Sequence, residues 1–258
     1  MLNKQEILKN YEKEDKIFLS NIIDKLDRNI NKNITEITSF LDVHEVSLVI
    51  PILNKFNIKY KVFDVQNLLE RKVIVFLNEY EEIEYYKFQN IKCLKITPKT
   101  KDKLQHKDYM GTLYNLGINI NKFGDIFVLE DICYVFTFDT IYEYLKLNVE
   151  KIGNVKIEID ETDIENIKLD RIFDKKSLNL PSLRIDVVLA HLYKFSRNDI
   201  DKKIAKGQLF INSVKIMSKT KEIKQGDIIS FRGSGKFKVE EFEKNKKDKY
   251  ITKVLLYK

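Results

Sequence analysis

Leu183-Arg-Ile-Asp-Val-Val-Leu-Ala-His-Leu192, followed by Ser196-Arg-Asn-Asp-Ile-Asp-Lys-Lys-Ile-Ala-Lys-Gly207, is the stretch on which the reading of this chain turns. Ile185, Val188, Leu189 and Leu192 recur at three- and four-residue spacing, which lays them along one side of a first helix. Ser196 then stands where a helix N-cap belongs, with Asp199 three residues on as a weaker form of the capping box. Ile200 and Ile204 give this second helix its apolar side, and Gly207 supplies the stop. Asn198, Lys202 and Lys206 fall four apart on another side, with Arg197 and Lys203 beside them. A helix that exposes four cations and also points its N-terminal amides outward suits phosphate oxygens.

Working outward, the next residues read as a compact β segment. Leu209 to Ile211 and Val214 to Ile216 are expected to pair across Asn212-Ser213, a two-residue turn. Gly226-Asp227 opens a further strand, and Arg232-Gly-Ser-Gly-Lys236 forms a basic loop leading to Phe237. The charged run from Glu240 to Lys249 reads as a solvated turn between the final strands. Charge is divided unevenly along the chain. Residues 182–258 hold 19 Lys and Arg against 9 Asp and Glu, whereas the first 181 hold 27 against 30. The surplus behind the net charge of +7 is therefore C-terminal, as binding to a polyanion requires.

Upstream, a length of 258 residues predicts two domains or three small ones. Residues 1–70 read as a mainly helical domain. Ile17, Phe18, Ile22, Ile23 and Leu26 are expected to form the core face of a helix from Glu12 to Ile30. A second helix, from Asp42 to Phe56, carries Val46, Val49, Ile50 and Leu53, with Pro51 predicting a kink or a junction. Residues 71–165 read as an α+β domain. Its strands are expected at Val73 to Leu77, Ile91 to Ile96, Asp125 to Leu129, Ile132 to Phe136 and Val155 to Ile159. Helices are expected around Met110, Leu113 and Tyr114, stopped by Gly117, and from Thr140 to Leu147. One face of the sheet is expected to be open. Residues 166–181 are polar and irregular and read as a linker, and 182–258 form the basic module.

Composition narrows the function classes. No apolar run reaches about 18 residues and no charged start precedes a cleavable apolar stretch, so the expectation is a cytoplasmic protein with no membrane contact. Cys93 and Cys133 lie in strand-like apolar surroundings and read as buried free thiols. His44 has no partner pattern, His191 reads as a partly buried packing residue, and His106 either caps the middle helix or touches RNA. Three dispersed histidines make neither a metal site nor a nucleophilic dyad, so no cofactor, metal or small-molecule substrate is expected. The Gly-Ser-Gly after Arg232 is not followed by a helix-opening Gly-Lys-Ser/Thr and is no nucleotide loop.

The motifs carry a resemblance. Leu183-Arg-Ile-Asp186, Ser196-Arg197, Ile204-x-x-Gly207, Ile211-Asn212, Gly226-Asp-x-Ile229 and Arg232-Gly-x-Gly-Lys-Phe237 are similar, in order and spacing, to the S4 RNA-binding domain. That fold is an αL-type arrangement of paired helices with a β hairpin. Ser213 departs from the glycine usual in that family. The resemblance implies RNA contacts by Arg184, Ser196, Arg197, Lys202, Lys203, Lys206, Gln208, Asn212, Lys219, Arg232 and Lys236, with Asn212 reading a base edge or sugar hydroxyl. His106-Lys-Asp-Tyr-Met-Gly111, Leu116-Gly-Ile118, Gly124-Asp-Ile126 and Phe40-Leu-Asp42 extend the likeness to the YlmH-type S4 proteins of Gram-positive bacteria. It implies an RRM-like middle domain with a second RNA surface at His106 and Lys107, where Lys107 replaces the more usual Arg. It further implies partners in rRNA or tRNA and the large ribosomal subunit, and a part in rescue of stalled nascent chains.

Enzymatic readings are weaker. Met217-Ser-Lys-Thr220 resembles part of a class I aminoacyl-tRNA synthetase signature, but no nucleotide-binding domain precedes it. Arg184-Ile-Asp186 matches a pseudouridine synthase pattern, yet too little chain follows for a catalytic domain. The expected protein is not an enzyme. Two alternatives stay open: a division-associated protein-interaction factor with incidental RNA binding, and, further off, an RNA-modifying enzyme.

Overall fold

The computed structural model describes residues 2–65, 69–100, 102–163, 167 and 173–257. It is a mixed α/β structure, with seven α-helices and three sheets among the described residues. The chain divides into two compact units, Met1–Asp170 and Arg171–Lys258.

The first unit opens with α1 (Lys4–Leu8), α2 (Lys13–Lys32), β1 (Glu36–Ile37), α3 (Val43–Lys55), β2 (Tyr60–Phe63) and β3 (Val73–Phe76). The strands form an antiparallel sheet in the order β1-β3-β2, and β3 is buried at every position. Leu19, Ile22, Leu26, Val49, Ile52 and Leu53 bring α2 and α3 onto Ile74 and Phe76. The inward stripe of α2 is thus centred one position off the expectation. Leu19 is fully buried, while Ile17, two residues away and so on the far side of the helix, is 74% exposed. Asp42 caps α3 reciprocally: its Oδ1 accepts from the Glu45 amide and Glu45 Oε2 accepts from the Asp42 amide, each at 2.9 Å. The helix runs on through Pro51 rather than ending there.

Next come β4 (Ile91–Pro98), α4 (His106–Tyr114), β5 (Phe123–Leu129), β6 (Ile132–Phe138), α5 (Asp139–Asn148), β7 (Lys151–Ile152) and β8 (Val155–Thr162). They build a fully antiparallel sheet in the order β5-β6-β4-β8-β7. Without the short β7, the path is β-α-β-β-α-β. Both helices lie on one face, where Tyr109, Leu113, Tyr142 and Leu145 pack on Leu94, Ile96, Val135 and Ile159. Helix α4 ends at Tyr114 with Asn115 as its cap, so the left-handed Gly117, φ +74, lies two residues beyond the cap and does not itself form the expected stop.

The opposite face of this sheet is not open, contrary to the expectation. Ile91, Cys93, Phe127, Phe136 and Phe138 are covered by Phe40, Phe63, Val65, Leu69 and Val73 from the first part of the chain. Phe40 meets Phe138 at 5.2 Å between ring centroids, and Phe63 meets Phe136 at 5.8 Å. Gly124 lets Phe40 in, since a Cβ there would lie 2.6 Å from the Phe40 ring. Asp125 Oδ2 accepts from the amides of Glu70 and Arg71, and Arg71 Nη2 donates to the Phe40 carbonyl and to Asn121 Oδ1. The expected boundary at residue 70 therefore runs through one shared core.

The second unit consists of β9 (Phe173–Leu180), α6 (Ile185–Tyr193), α7 (Arg197–Ala205), β10 (Leu209–Ile211), β11 (Val214–Lys215), β12 (Ile228–Phe231), β13 (Gly235–Lys244) and β14 (Tyr250–Tyr257). The sheet order is β11-β10-β12-β13-β14-β9, antiparallel throughout. Strand β9 pairs with β14 from Leu180↔Tyr250 to Phe173↔Tyr257, so most of the described part of the expected linker is an edge strand. It reads as polar because much of an edge strand stays in water. The run from Glu240 likewise continues β13 to Lys244, with a register shift between Val239 and Glu241, before the turn at Asn245. Helices α6 and α7 cover one face, where Ile185, Val188, Leu189, Leu192, Ile200 and Ile204 meet Leu209, Ile211, Ile229, Phe231, Phe237 and Val239.

Candidate nucleic-acid interface

Helix α7 forms as its sequence predicts. Ser196 Oγ accepts from the Asp199 amide at 3.2 Å and donates to Asp199 Oδ2 at 2.6 Å, so this hydroxyl is occupied as a cap. Ile200 and Ile204 turn inward, which leaves Asn198, Lys202 and Lys206 on the outer side. Arg197, Lys202 and Lys206 are exposed, and their side chains have no hydrogen-bond or ion-pair partner among the described residues. These three cations keep their whole charge for a ligand.

Four other expected contacts are already engaged. Arg184 makes a two-pronged bond to Asp186, Nε to Oδ1 at 3.1 Å and Nη2 to Oδ2 at 2.8 Å, and this bond raises its pKa further. Lys219 Nζ donates to Asp201 Oδ2 at 2.6 Å. Lys203 donates to Ser234 Oγ at 3.3 Å, with its ammonium 5.3 Å from the Phe195 ring and 5.4 Å from Phe231. It ties α7 to the turn between β12 and β13. Asn212 is the turn itself: its Oδ1 accepts from the Ile228 amide and its Nδ2 donates to Asp227 Oδ1, both at 2.9 Å. These two bonds tie the hairpin turn to the start of β12 and leave the side chain one N–H and one lone pair. Asn212 and Ser213 have φ 49 and 66, so Ser213 adopts the left-handed conformation that the family's glycine would.

Gln208 is half-buried, and its carbonyl accepts from the Arg232 amide at 2.9 Å. Arg232 and Lys236 fall on the other side of the sheet from α7. The Arg232 guanidinium lies 4.3 Å from the Phe210 ring centroid, and the Lys236 ammonium 5.0 Å from that of Tyr257. The expected RNA residues of the second unit thus separate onto two faces. Phe210 and Tyr257 lie beneath these cations, and a reading by charge alone does not pick them out.

Near Gly235, which opens β13 after the turn from β12, Tyr193 Oη is buried with no hydrogen-bond partner among the described residues, and burial pushes its pKa up to about 12. His191 is exposed rather than packed, with Nδ1 2.9 Å from the Val187 carbonyl. In the first unit, His106 and Lys107 are exposed on the first turn of α4, whose start is closed by Asp108 Oδ2 accepting from the Gln105 amide at 2.8 Å. His44 does have a partner, with Nε2 2.9 Å from Asp15 Oδ1. Burial pushes the Cys93 thiol up to about 12. No cluster of three or more metal-ligating side chains occurs among the described residues, and no helix there is long and apolar enough to cross a membrane.

Residues 84–166 match the family described as "Putative RNA-binding domain in YlmH", a span that takes in the five-stranded sheet with α4 and α5. The chain is 22% identical over 218 residues, covering 83% of its own length and 84% of the relative's, to the ribosome-associated protein quality control protein P2 of Bacillus subtilis (strain 168). A solved structure of the cell division protein ylmH from Streptococcus pneumoniae superposes with a TM-score of 0.52 at 20% identity, over 62% of this chain and 98% of that one. At that identity it speaks for the fold. The family match and the relative liken this chain to YlmH-type proteins, and the solved structure shows a shared fold.

Proposed function

We propose that this chain is an RNA-binding, ribosome-associated protein without catalytic activity, whose second unit is an S4-type domain that docks on structured RNA of the large ribosomal subunit. The role proposed is in rescue of stalled nascent chains. Support comes from the matched RNA-binding family and from the relative named for ribosome-associated quality control. The β-α-β-β-α-β path of the matched span favours the RRM-like reading of the middle segment, and the α6–α7 pair with the Asn212-Ser213 hairpin favours the S4 reading. The observation that carries the proposal is the outer side of α7, where Arg197, Lys202 and Lys206 are exposed and unpaired among the described residues. Such charges attract phosphates with little competition from carboxylates of the same unit.

The test is binding of the full chain to purified large subunits at rising salt. Lys202→Ala with Lys206→Ala should weaken binding and reduce the slope of log K against log salt by about one per lost phosphate contact. Lys203 is left intact because it also holds the β12–β13 turn. Unchanged affinity and slope would sink the docking face.

A division-linked protein-interaction role is the second reading. Its favouring observation is the segment between β3 and β4, where Tyr80 and Tyr85 are 82% and 80% exposed beside Ile83. Partners retained in a pull-down after nuclease digestion would favour it over the first.

A further inference from the structure

The sheet of the second unit has a face that neither helix covers, and its composition is unlike an ordinary solvated surface. Leu209, Ile211, Ile229, Phe231, Phe237, Val239 and Val254 all pack toward α6 and α7. Strand alternation then sends Phe210, Ser230, Lys236, Lys238, Leu255 and Tyr257 to the opposite side. Register places them in rows. One row runs Lys215↔Phe210↔Ser230↔Lys236, continues through the Lys236 ammonium over the Tyr257 ring, and ends at Tyr257↔Phe173. The neighbouring row is Ile228↔Lys238↔Leu255↔Lys175. Neither row contains a carboxylate. Glu241 lies beyond them and is held by Lys253 at 2.6 Å, while Lys175 has a looser contact with Glu240 at 3.6 Å.

Within the rows, each aromatic side chain is set against a cation or another ring. Arg232 lies 4.3 Å above Phe210, Lys236 lies 5.0 Å above Tyr257, and Phe173 meets Tyr257 edge-on at 5.1 Å. All three rings remain partly exposed. Six strands at about 4.8 Å spacing make a sheet roughly 24 Å across.

We infer that this outer face is a second RNA site, distinct from α7, which binds a single-stranded segment by stacking its bases on Phe210, Tyr257 and the Arg232 plane while Lys215, Lys236 and Lys238 hold its phosphates. Bases can stack on a ring or a guanidinium plane only when they are splayed out of a helix. Both helices of the unit pack on the other face, so no helix stands here to enter a groove, and the exposed rings suit splayed bases rather than a duplex. The α7 side is its converse: its outward positions Asn198, Lys202 and Lys206 offer phosphate contacts and no ring. The chain would thereby grip structured RNA with one face of the unit and an unpaired strand with the other. The inference shares its ligand class with the function proposed above and assigns Arg232 and Lys236, two of the contacts the S4 resemblance implies, to a face apart from α7.

The experiment measures fluorescence anisotropy of labelled U12 RNA with the full chain, beside large-subunit binding. Phe210→Leu with Tyr257→Leu keeps an apolar side chain at each position and removes the rings; it should weaken U12 binding on the order of tenfold or more, since two stacked bases at about fivefold or more each are lost. Lys238→Gln should reduce the salt slope by about 0.7, the value for one phosphate contact on a single strand. Thermal melts show whether the pair is folded. If it is not, 4-thiouridine crosslinking of the unaltered chain gives the answer, with adducts expected on residues 173–177, 210–215 and 228–257. The inference is overturned by U12 that does not bind, by a folded Leu pair with undiminished affinity, or by crosslinks confined to 197–206 or 1–170. Large-subunit binding that vanishes in Lys202→Ala with Lys206→Ala, beside intact U12 binding, separates the fates of the two sites.

Discussion

The five-stranded sheet of the first unit and the six-stranded sheet of the second are built on one plan, with two helices packed on a single face. They differ in what happens to the other face. In the first, Phe40, Phe63 and Val65 come down on Cys93, Phe136 and Phe138, and the aromatic side chains become core. In the second, Phe210, Tyr257 and Phe173 stand beside cations at the surface. Aromatic content alone does not distinguish a binding sheet from a packed one. The deciding features are whether another element covers the rings and whether cations or aliphatic side chains surround them.

The strongest way to break this contrast is to make one deletion on both sheets. Phe40→Ala removes a side chain with no exposed surface and should cost about 3–5 kcal/mol, read by urea unfolding. Phe210→Ala should cost less than about 1 kcal/mol and act on RNA binding instead. Similar losses at the two positions would mean that the outer face is packed in solution. Cys93 reports on the cover independently. It is fully buried with its thiol pushed up to about 12, so it should resist thiol reagents at pH 8 in the native chain and react far faster in Phe40→Ala.

Gly124→Ala is a milder probe of the same cover. The added methyl would sit 2.6 Å from Phe40 Cε1 and 2.9 Å from Phe136 Cβ, both in the core. Overpacking of this kind should cost about 1–3 kcal/mol and lower the melting temperature without altering U12 binding. A neutral effect on melting would show that Phe40 yields easily and that the cover is loose.

Much of this architecture can be read in the residues. Helix α7 is legible because its stripe, its Ser196 cap and Gly207 agree locally, and the strands around Val73, Ile91 and Ile132 are legible from apolar runs. The cover of the first sheet is not, because Phe40 touches Phe138 across nearly a hundred residues and nothing local announces the contact. Strand β9 hides for another reason: Lys175, Lys176 and Ser177 face water on an edge and resemble a linker. At the candidate site, the cations can be read from the sequence and their neutralisation cannot. The Lys219–Asp201 bond spans 18 residues, and the occupation of Asn212 depends on a strand that arrives 16 residues later.

The smallest expected effect lies where the cover of the first sheet is anchored. Glu36, in the strand that leads to Phe40, accepts from Arg28 Nε at 2.6 Å, from Arg28 Nη2 at 3.2 Å and from Lys25 Nζ at 3.3 Å. The Arg28 bond is the main reason its pKa is lowered from 4.5, with Lys25 adding to it. A lowered carboxylate contributes stability that is present above its unfolded value and is lost as pH falls through its folded value. Glu45 acts in the opposite sense: burial raises its pKa, so its contribution is full below 4.5 and declines as pH rises through the folded value. Comparing Glu36→Gln with the parent chain isolates the first group. At pH 7 the variant should be less stable by about 1 kcal/mol, a modest figure because its cationic partners are partly in water. That gap should close as pH drops below 4.5, where the parent chain's Glu36 takes up its proton and loosens its hold on α2. A gap that keeps its size between pH 7 and pH 3 would show that Glu36 contributes through packing, and that charge plays no part in holding the strand beneath Phe40.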